Sequence, residues 1–256
     1  MKKCPKCGYE RAVTDAGPAG ICGACGLVFA KWAQSTLGTA RLPRERAQVD
    51  ESEPGWPQEV IARLVYVEPR PDPMVFWGRT GIYALFFVWG WYFILLDFRT
   101  NDIGHSFMHR VDLVFHEAGH IFFIPFGRFM TILGGSLGQQ IMPVIVGAAL
   151  IVKNRDTFGG SIALWWLGQS LMDLAPYIGD ARALQLQLVG GGTGQDRPGV
   201  HDWENILLDL NLIDHDIRIA AGANVLGILI VLTALAWGAY ILLQQYRNLN
   251  GGHADD

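Results

Sequence analysis

The feature that most constrains this chain is residues 219–243, twenty-five consecutive positions without a charged side chain. At about 1.5 Å per residue, such a helix can cross a hydrocarbon core of about 30 Å. Four more apolar stretches accompany it, at residues 81–96, 111–133, 137–152 and 158–178. The first can extend back past Arg79 if that side chain snorkels, and 137–152 is short enough to be a tilted helix or a re-entrant segment. Half of all residues are hydrophobic and only 17% are charged, which excludes a disordered chain and does not describe an ordinary soluble domain. The expected fold is an all-α integral membrane protein with about four or five hydrophobic helices. A net charge of −4 gives no electrostatic reason to bind nucleic acid.

Charge gathers at the other end of the chain, where ten of the 20 Lys and Arg fall within residues 1–74. The start, Met1-Lys2-Lys3-Cys4-Pro5, has no apolar stretch and no small-residue cleavage site, so this head is expected in the cytoplasm. All four cysteines lie there, and in a reducing compartment they favour a metal over disulfides. They read Cys4-Pro5-Lys6-Cys7-Gly8 and Cys22-Gly23-Ala24-Cys25-Gly26, with fourteen residues between Cys7 and Cys22. Each turn aims two thiolates at one point, the glycines permit the tight backbone, and four sulfurs complete a closed tetrahedral zinc site. This resembles a zinc ribbon, small and β-rich. With no open ligand position, it implies a structural role or an interaction with a protein partner. A redox role is the competing reading and requires metal-free disulfide exchange. The expected domains are a ribbon at 1–32, a linker at 33–74 marked by Pro54, Gly55, Pro57, Pro69, Pro71 and Pro73, and a polytopic membrane domain at 75–256. Within the linker, residues 60–67 can form a strand or lie on the membrane surface.

The apolar stretch 111–133 carries His116, Glu117, His120 and Arg128 among Phe, Ile and Leu. Residues 116–120 read His-Glu-Ala-Gly-His, and on a helix His116 and His120 lie one turn apart on one face, so both imidazoles reach one metal. Glu117 projects at a neighbouring angle, where it can act as general base without occupying a ligand position. Ionisable groups in lipid are costly unless paired or metal-bound. A catalytic zinc needs a third protein ligand, for which Asp173, Asp180, His201 and Asp202 are the candidates. His201 and Asp202 open the loop before the last helix, where they can gate, ligate, or cap the following helix through Asp202.

His116, Glu117 and His120, together with the segment from Pro176 to Asp180, resemble the site-2 protease family of intramembrane zinc metalloproteases. That resemblance implies a peptidase acting on a membrane-protein substrate, with a second zinc completed by an aspartate from a later segment, Asp180 or Asp173. The chain also resembles a bacterial membrane family that pairs an N-terminal zinc ribbon with an HEAGH helix and an HDW loop, which implies a multi-pass inner-membrane location and no particular substrate. The rival expectation is a non-catalytic scaffold or metal-handling protein that uses the same histidines only to bind.

His105, His109, Asp112, His116 and His120 would share a stripe of about 80° on one continuous helix, but Gly104 and the polar run before it place His105 and His109 in a water-facing loop. Gly134-Gly135-Ser136 reads as a turn, and Pro125 and Pro143 as kinks. Gln139, Gln140 and Gln169 read as interhelical hydrogen-bond partners. The glycines at 190–194 lack the Gly-Lys-Ser/Thr of a phosphate loop and read as a flexible linker.

Overall fold

In the computed structural model, which describes residues 3–11, 18, 20–37 and 55–251, the chain forms two compact units, Met1–Glu53 and Pro54–Asp256. The division falls inside the stretch expected as a linker. In the first unit each CxxC turn folds back on itself, with Gly8 N donating to Cys4 O and Gly26 N to Cys22 O, both at 2.9 Å. Gly8 and Gly26 have φ of 74° and 69°, a left-handed backbone that residues with a Cβ rarely adopt. A single antiparallel bridge closes each turn, Lys3 to Glu10 and Ile21 to Val28. Among the described residues there is thus no ladder, and the β-rich ribbon reduces to two bridged turns followed by helix α1, Phe29–Leu37. Chains this short carry too little apolar surface for a core, so convergence of the four thiols takes its place.

The second unit is helical: α2 (Trp56–Leu64), α3 (Pro73–Ile94), α4 (Phe107–Phe123), α5 (Arg128–Asn154), α6 (Thr157–Gly179), α7 (Asp202–Asp209) and α8 (Asp216–Gly251). Of the run 60–67, expected as a strand or surface segment, residues 60–64 end α2 and form no strand, with Val60 and Ile61 exposed on it. Asp72 caps α3 by accepting from Met74 N and Val75 N at 2.8 and 3.1 Å, and Pro73 occupies the first helical position, where a missing N–H costs nothing. Two helices, α5 and the span containing α8, are long and apolar enough to cross a membrane.

The break between α4 and α5 lies elsewhere than expected. Pro125 sits in a 3₁₀ turn, Ile124–Phe126, and Gly127 at φ 91° redirects the chain. Residues 134–136 are not a turn but part of α5, which runs unbroken through Pro143 and absorbs the stretch 137–152. These glycines are helical because α4 lies directly on them. A Cβ on Gly119 would sit 2.1 Å from Gly134 O, and one on Gly138 would sit 2.4 Å from Phe115 O. Where apolar surface gains nothing by leaving lipid, such small-residue contact lets backbones approach and supplies dispersion energy. Gly168 and Gly227 do the same for α6 and α8, each placing a hypothetical Cβ within 2.7 Å of the other's carbonyl oxygen. Around that second contact Phe93, Trp165, Met172, Val231 and Leu235 form the largest apolar cluster. Arg79 does not snorkel freely; it donates to Asp156 Oδ1 at 3.0 Å across the α3–α6 ends.

The α4–α5 contact generates a direct test. Gly119→Val should cost about 1–3 kcal/mol through overpacking, read as a lowered midpoint in thermal unfolding of the purified chain. Gly222→Ala, in α8 with nothing within 4 Å of the new Cβ, should change stability by no more than about 1 kcal/mol, in the favourable direction.

Candidate metal centre

Among the described residues, two groups of side chains converge closely enough to hold a metal ion: Cys4, Cys7, Cys22 and Cys25, and separately His116, His120 and Asp202. In the first, Cys4 Sγ lies 3.8 Å from Cys25 Sγ and Cys7 Sγ 3.7 Å from Cys22 Sγ. The edge of a tetrahedron with zinc–sulfur bonds of about 2.3 Å is about 3.8 Å, so the four thiols fit that ion.

The second group forms where α4, α5, α6 and the start of α7 meet. Ser106 caps α4 by accepting from His109 N at 3.1 Å, which sets the rotation that turns His116 and His120 toward α5. Their rings lie 4.9 Å apart, near perpendicular. Space for them exists because residue 135 is glycine: a Cβ there would lie 2.5 Å from both Nε2 atoms. Asp202 Oδ2 stands 3.1 Å from His116 Nε2 and 3.2 Å from His120 Nε2, close to the edge of about 3.3 Å expected for zinc with nitrogen and oxygen ligands near 2.0–2.1 Å.

The partners of the other ring nitrogens decide the chemistry. His120 Nδ1 lies 2.8 Å from Thr131 O, and a carbonyl only accepts, so Nδ1 carries hydrogen. His116 Nδ1 lies 2.8 Å from Gln139 Oε1. The amide orientation of Gln139 is set by its own Nε2, which donates to Ser170 O at 3.2 Å, so His116 Nδ1 is also a donor. Neutral imidazoles fixed this way present two bare Nε2 lone pairs to a carboxylate oxygen. That arrangement is repulsive. A metal ion between them or a proton on one Nε2 relieves the repulsion, and the hydrogen bond to Asp202 raises the pKa of His120 to about 9; the Nδ1 contacts match the outer-shell carbonyls that hold metal-bound histidines. Tyr177 anchors the third member, donating from its hydroxyl to Asp202 Oδ2 at 3.2 Å and accepting from Asp202 N at 3.0 Å. Burial alone would raise the Asp202 carboxyl, but the facing His116 and His120 rings outweigh it and hold the group at about 2, so the carboxylate is anionic at any neutral pH.

The structure therefore selects Asp202 from the four candidates and turns the others elsewhere. Asp173 pairs with His109 Nδ1 at 3.0 Å. Asp180 follows the last turn of α6 and accepts from Gln185 N and Leu186 N, both at 2.9 Å, so its carboxylate is spent on the next turn of chain. Those amides, with His201, outweigh burial and lower its pKa. His201 is fully buried; its Nδ1 accepts from Glu204 N at 3.2 Å, which makes His201, not Asp202, the cap of α7. Its Nε2 faces Asp180 at 3.5 Å. His109 lies in α4, not in a loop, while His105 ends the 3₁₀ turn Asp102–His105. Gln139 and Gln140 do bond across helices, both to Ser170, and Gln169 is wholly buried facing Asp112 of α4.

A cavity of about 550 Å3 opens beside the group, lined among others by Glu117, His120, Tyr177, Asp202, Leu186 and Val189. Glu117 is exposed there and joins none of the ligand atoms. The glycines expected as a loose linker instead build a turn: Gly190, Gly191 and Gly192 all have positive φ, Gln187 bridges Thr193, and Arg197 donates to Val189 O and Gly191 O at 3.2 Å. That turn carries Leu186–Val189 to the cavity wall.

Comparison with known proteins finds no matching family, no matching curated protein and no matching solved structure.

Metal content separates the candidates for the third ligand. The intact chain should carry two zinc ions per molecule by elemental analysis, Asp202→Ala only one, and Asp173→Asn and Asp180→Asn two each. Gln139→Leu, which frees His116 to rotate, should weaken the second ion by about 10–100-fold.

Proposed function

We propose that this chain is a multi-pass membrane protein of the bacterial inner membrane that hydrolyses peptide bonds at a zinc site between its helices, in the manner of site-2 proteases. The observation that carries the reading is the convergence of His116 Nε2, His120 Nε2 and Asp202 Oδ2 at 3.1–3.2 Å beside a cavity that also receives Glu117.

The distribution of polarity supports the membrane part. Trp77 (65%), Val88 (68%), Ile121 (71%) and Phe122 (74%) are exposed, while Asp112, Gln169 and Ser170 are wholly buried. A soluble domain does the reverse, and exposed apolar surface on this scale marks a lipid or protein contact. Helices α3, α5, α6 and α8 alternate in direction along the bundle and are the proposed spans. With 17 residues, α4 reaches about 25 Å and packs on α5 without a full crossing. An even number of spans puts Lys153 and Arg155 on the side where α3 begins. If the cysteine-bearing head lies in the reducing cytoplasm, that side is cytoplasmic.

Zinc bound here supplies Lewis acidity, polarising a peptide carbonyl and lowering the pKa of water toward about 7. The chain's own groups do the remainder. Glu117 accepts a proton from the water as its oxygen bonds to the carbonyl carbon, then returns that proton to the amine nitrogen, whose bond to the carbon then breaks. Gln139 and Thr131 hold the imidazoles, and Tyr177 holds Asp202. A substrate helix must unwind before its peptide bonds can enter, because helical hydrogen bonds shield them. The four-cysteine unit is the proposed recruitment module for a protein partner or substrate.

Glu117→Gln keeps shape and both zinc ions but has no base, so cleavage of a candidate transmembrane substrate should fall by at least about 100-fold. Undiminished turnover in that variant, with zinc retained, would eliminate Glu117 as the base; zinc bound by the unaltered chain with no cleavage would favour the metal-handling scaffold.

A further inference from the structure

A second cavity lies at the opposite end of the bundle from the metal centre, where α3 begins, α5 ends, α6 begins and α8 nears its C-terminus. It measures about 260 Å3 and is lined by Glu68, Arg79, Arg155, Thr157 and Gln245, among others. Part of this lining is committed: Arg79 bonds Asp156 at 3.0 Å, and Thr157 Oγ1 donates to Tyr66 O at 2.7 Å. The rest is not. Gln245 is 2% exposed, and its Oε1 has no donor among the described residues. Glu68 and Arg155 form no side-chain ion pair with any described residue. Arg155 is held by the turn between α5 and α6 at φ 53°, the left-handed conformation of the residue closing α5.

We infer that this cavity binds a zwitterion that joins a primary ammonium to a phosphate, as in the headgroup of phosphatidylethanolamine. An orphaned buried amide oxygen calls for an N–H donor, and leaving it unmet costs about 1–3 kcal/mol. An ammonium supplies that donor and pairs with the Glu68 carboxylate, while the guanidinium of Arg155 takes the phosphate. A quaternary choline headgroup has no N–H and leaves Gln245 unmet. The position suits a lipid, since Met74 (82%), Trp77 (65%) and Val152 (62%) leave apolar surface exposed on the helices that frame the cavity, where acyl chains would lie. This lipid source rests on the membrane reading above; the headgroup chemistry does not.

The test uses the full chain, extracted in detergent and placed in nanodiscs of equal phosphatidylethanolamine, phosphatidylcholine and phosphatidylglycerol. Lipid retained after mild delipidation is counted by native mass spectrometry, with zinc content measured in parallel. Phosphatidylethanolamine should be retained about tenfold over phosphatidylcholine, the value of one charge-assisted hydrogen bond. Gln245→Leu and Glu68→Gln should remove that preference without changing zinc content. Protection against heat by soluble phosphoethanolamine but not phosphocholine, with no lipid retained, would support the site with the free zwitterion as its source. Equal retention of the ethanolamine and choline lipids with no such protection overturns the proposal, as does an unchanged preference in both variants. A chain that needs no detergent to leave the membrane fraction would instead refute the membrane reading.

Discussion

Two imidazoles whose Nδ1 hydrogens are both given to carbonyl oxygens leave their Nε2 atoms as the positions that take up a metal ion or a proton. Here they face a carboxylate oxygen at 3.1 and 3.2 Å, so a metal ion or protons on the Nε2 atoms hold the three together. The outer partners that impose this state come from two helices: Thr131 and Gln139 from α5, and Ser170, behind Gln139, with Tyr177, behind Asp202, from α6. Removing any one of them frees a ring or the carboxylate before it touches a ligand atom. The centre is therefore a property of helix packing more than of the HExxH pentapeptide.

That packing depends in turn on missing side chains. Gly119 and Gly138 bring α4 against α5, and Gly135 leaves the volume into which both rings project. The same four-residue spacing that aligns His116 with His120 also sets Gly119 one residue from the second histidine, so ligand face and contact face are adjacent on α4. A β-carbon at 135 would fill the site directly; at 119 it would push the whole of α4 away from Thr131 and Gln139.

The two histidines were legible in the sequence because a single helical turn contains them, and the four cysteines because their paired spacing is local. Which carboxylate joins the two histidines was not legible. Asp173, Asp180 and Asp202 are chemically alike, and only the path of the chain through the 81 positions between His120 and Asp202 brings the last of them to the histidines. Asp180 had the better motif but lies beside the free amides of the turn that follows α6, which claim it. One clue was present: His201 and Asp202 are adjacent, and only one of them can cap α7. His201 takes that place, leaving the aspartate to point inward. The glycines at 134 and 135 misled because glycine marks turns and close helix contacts alike, and Pro125 with Gly127 already supplied a break nearby. The linker reading of 190–194 failed for a similar reason: positive φ in three consecutive glycines can build a defined turn as readily as a loose one, and Arg197 ties this one down.

Zinc absorption spectroscopy on the full chain with Cys4, Cys7, Cys22 and Cys25 replaced by serine examines the helical centre alone. Bound zinc with a shell of nitrogen and oxygen only, at about 2.0–2.2 Å and with the outer-ring scattering of two imidazoles, is the predicted result. A folded chain that binds no zinc, or binds it without imidazole scattering, would contradict the account at its base.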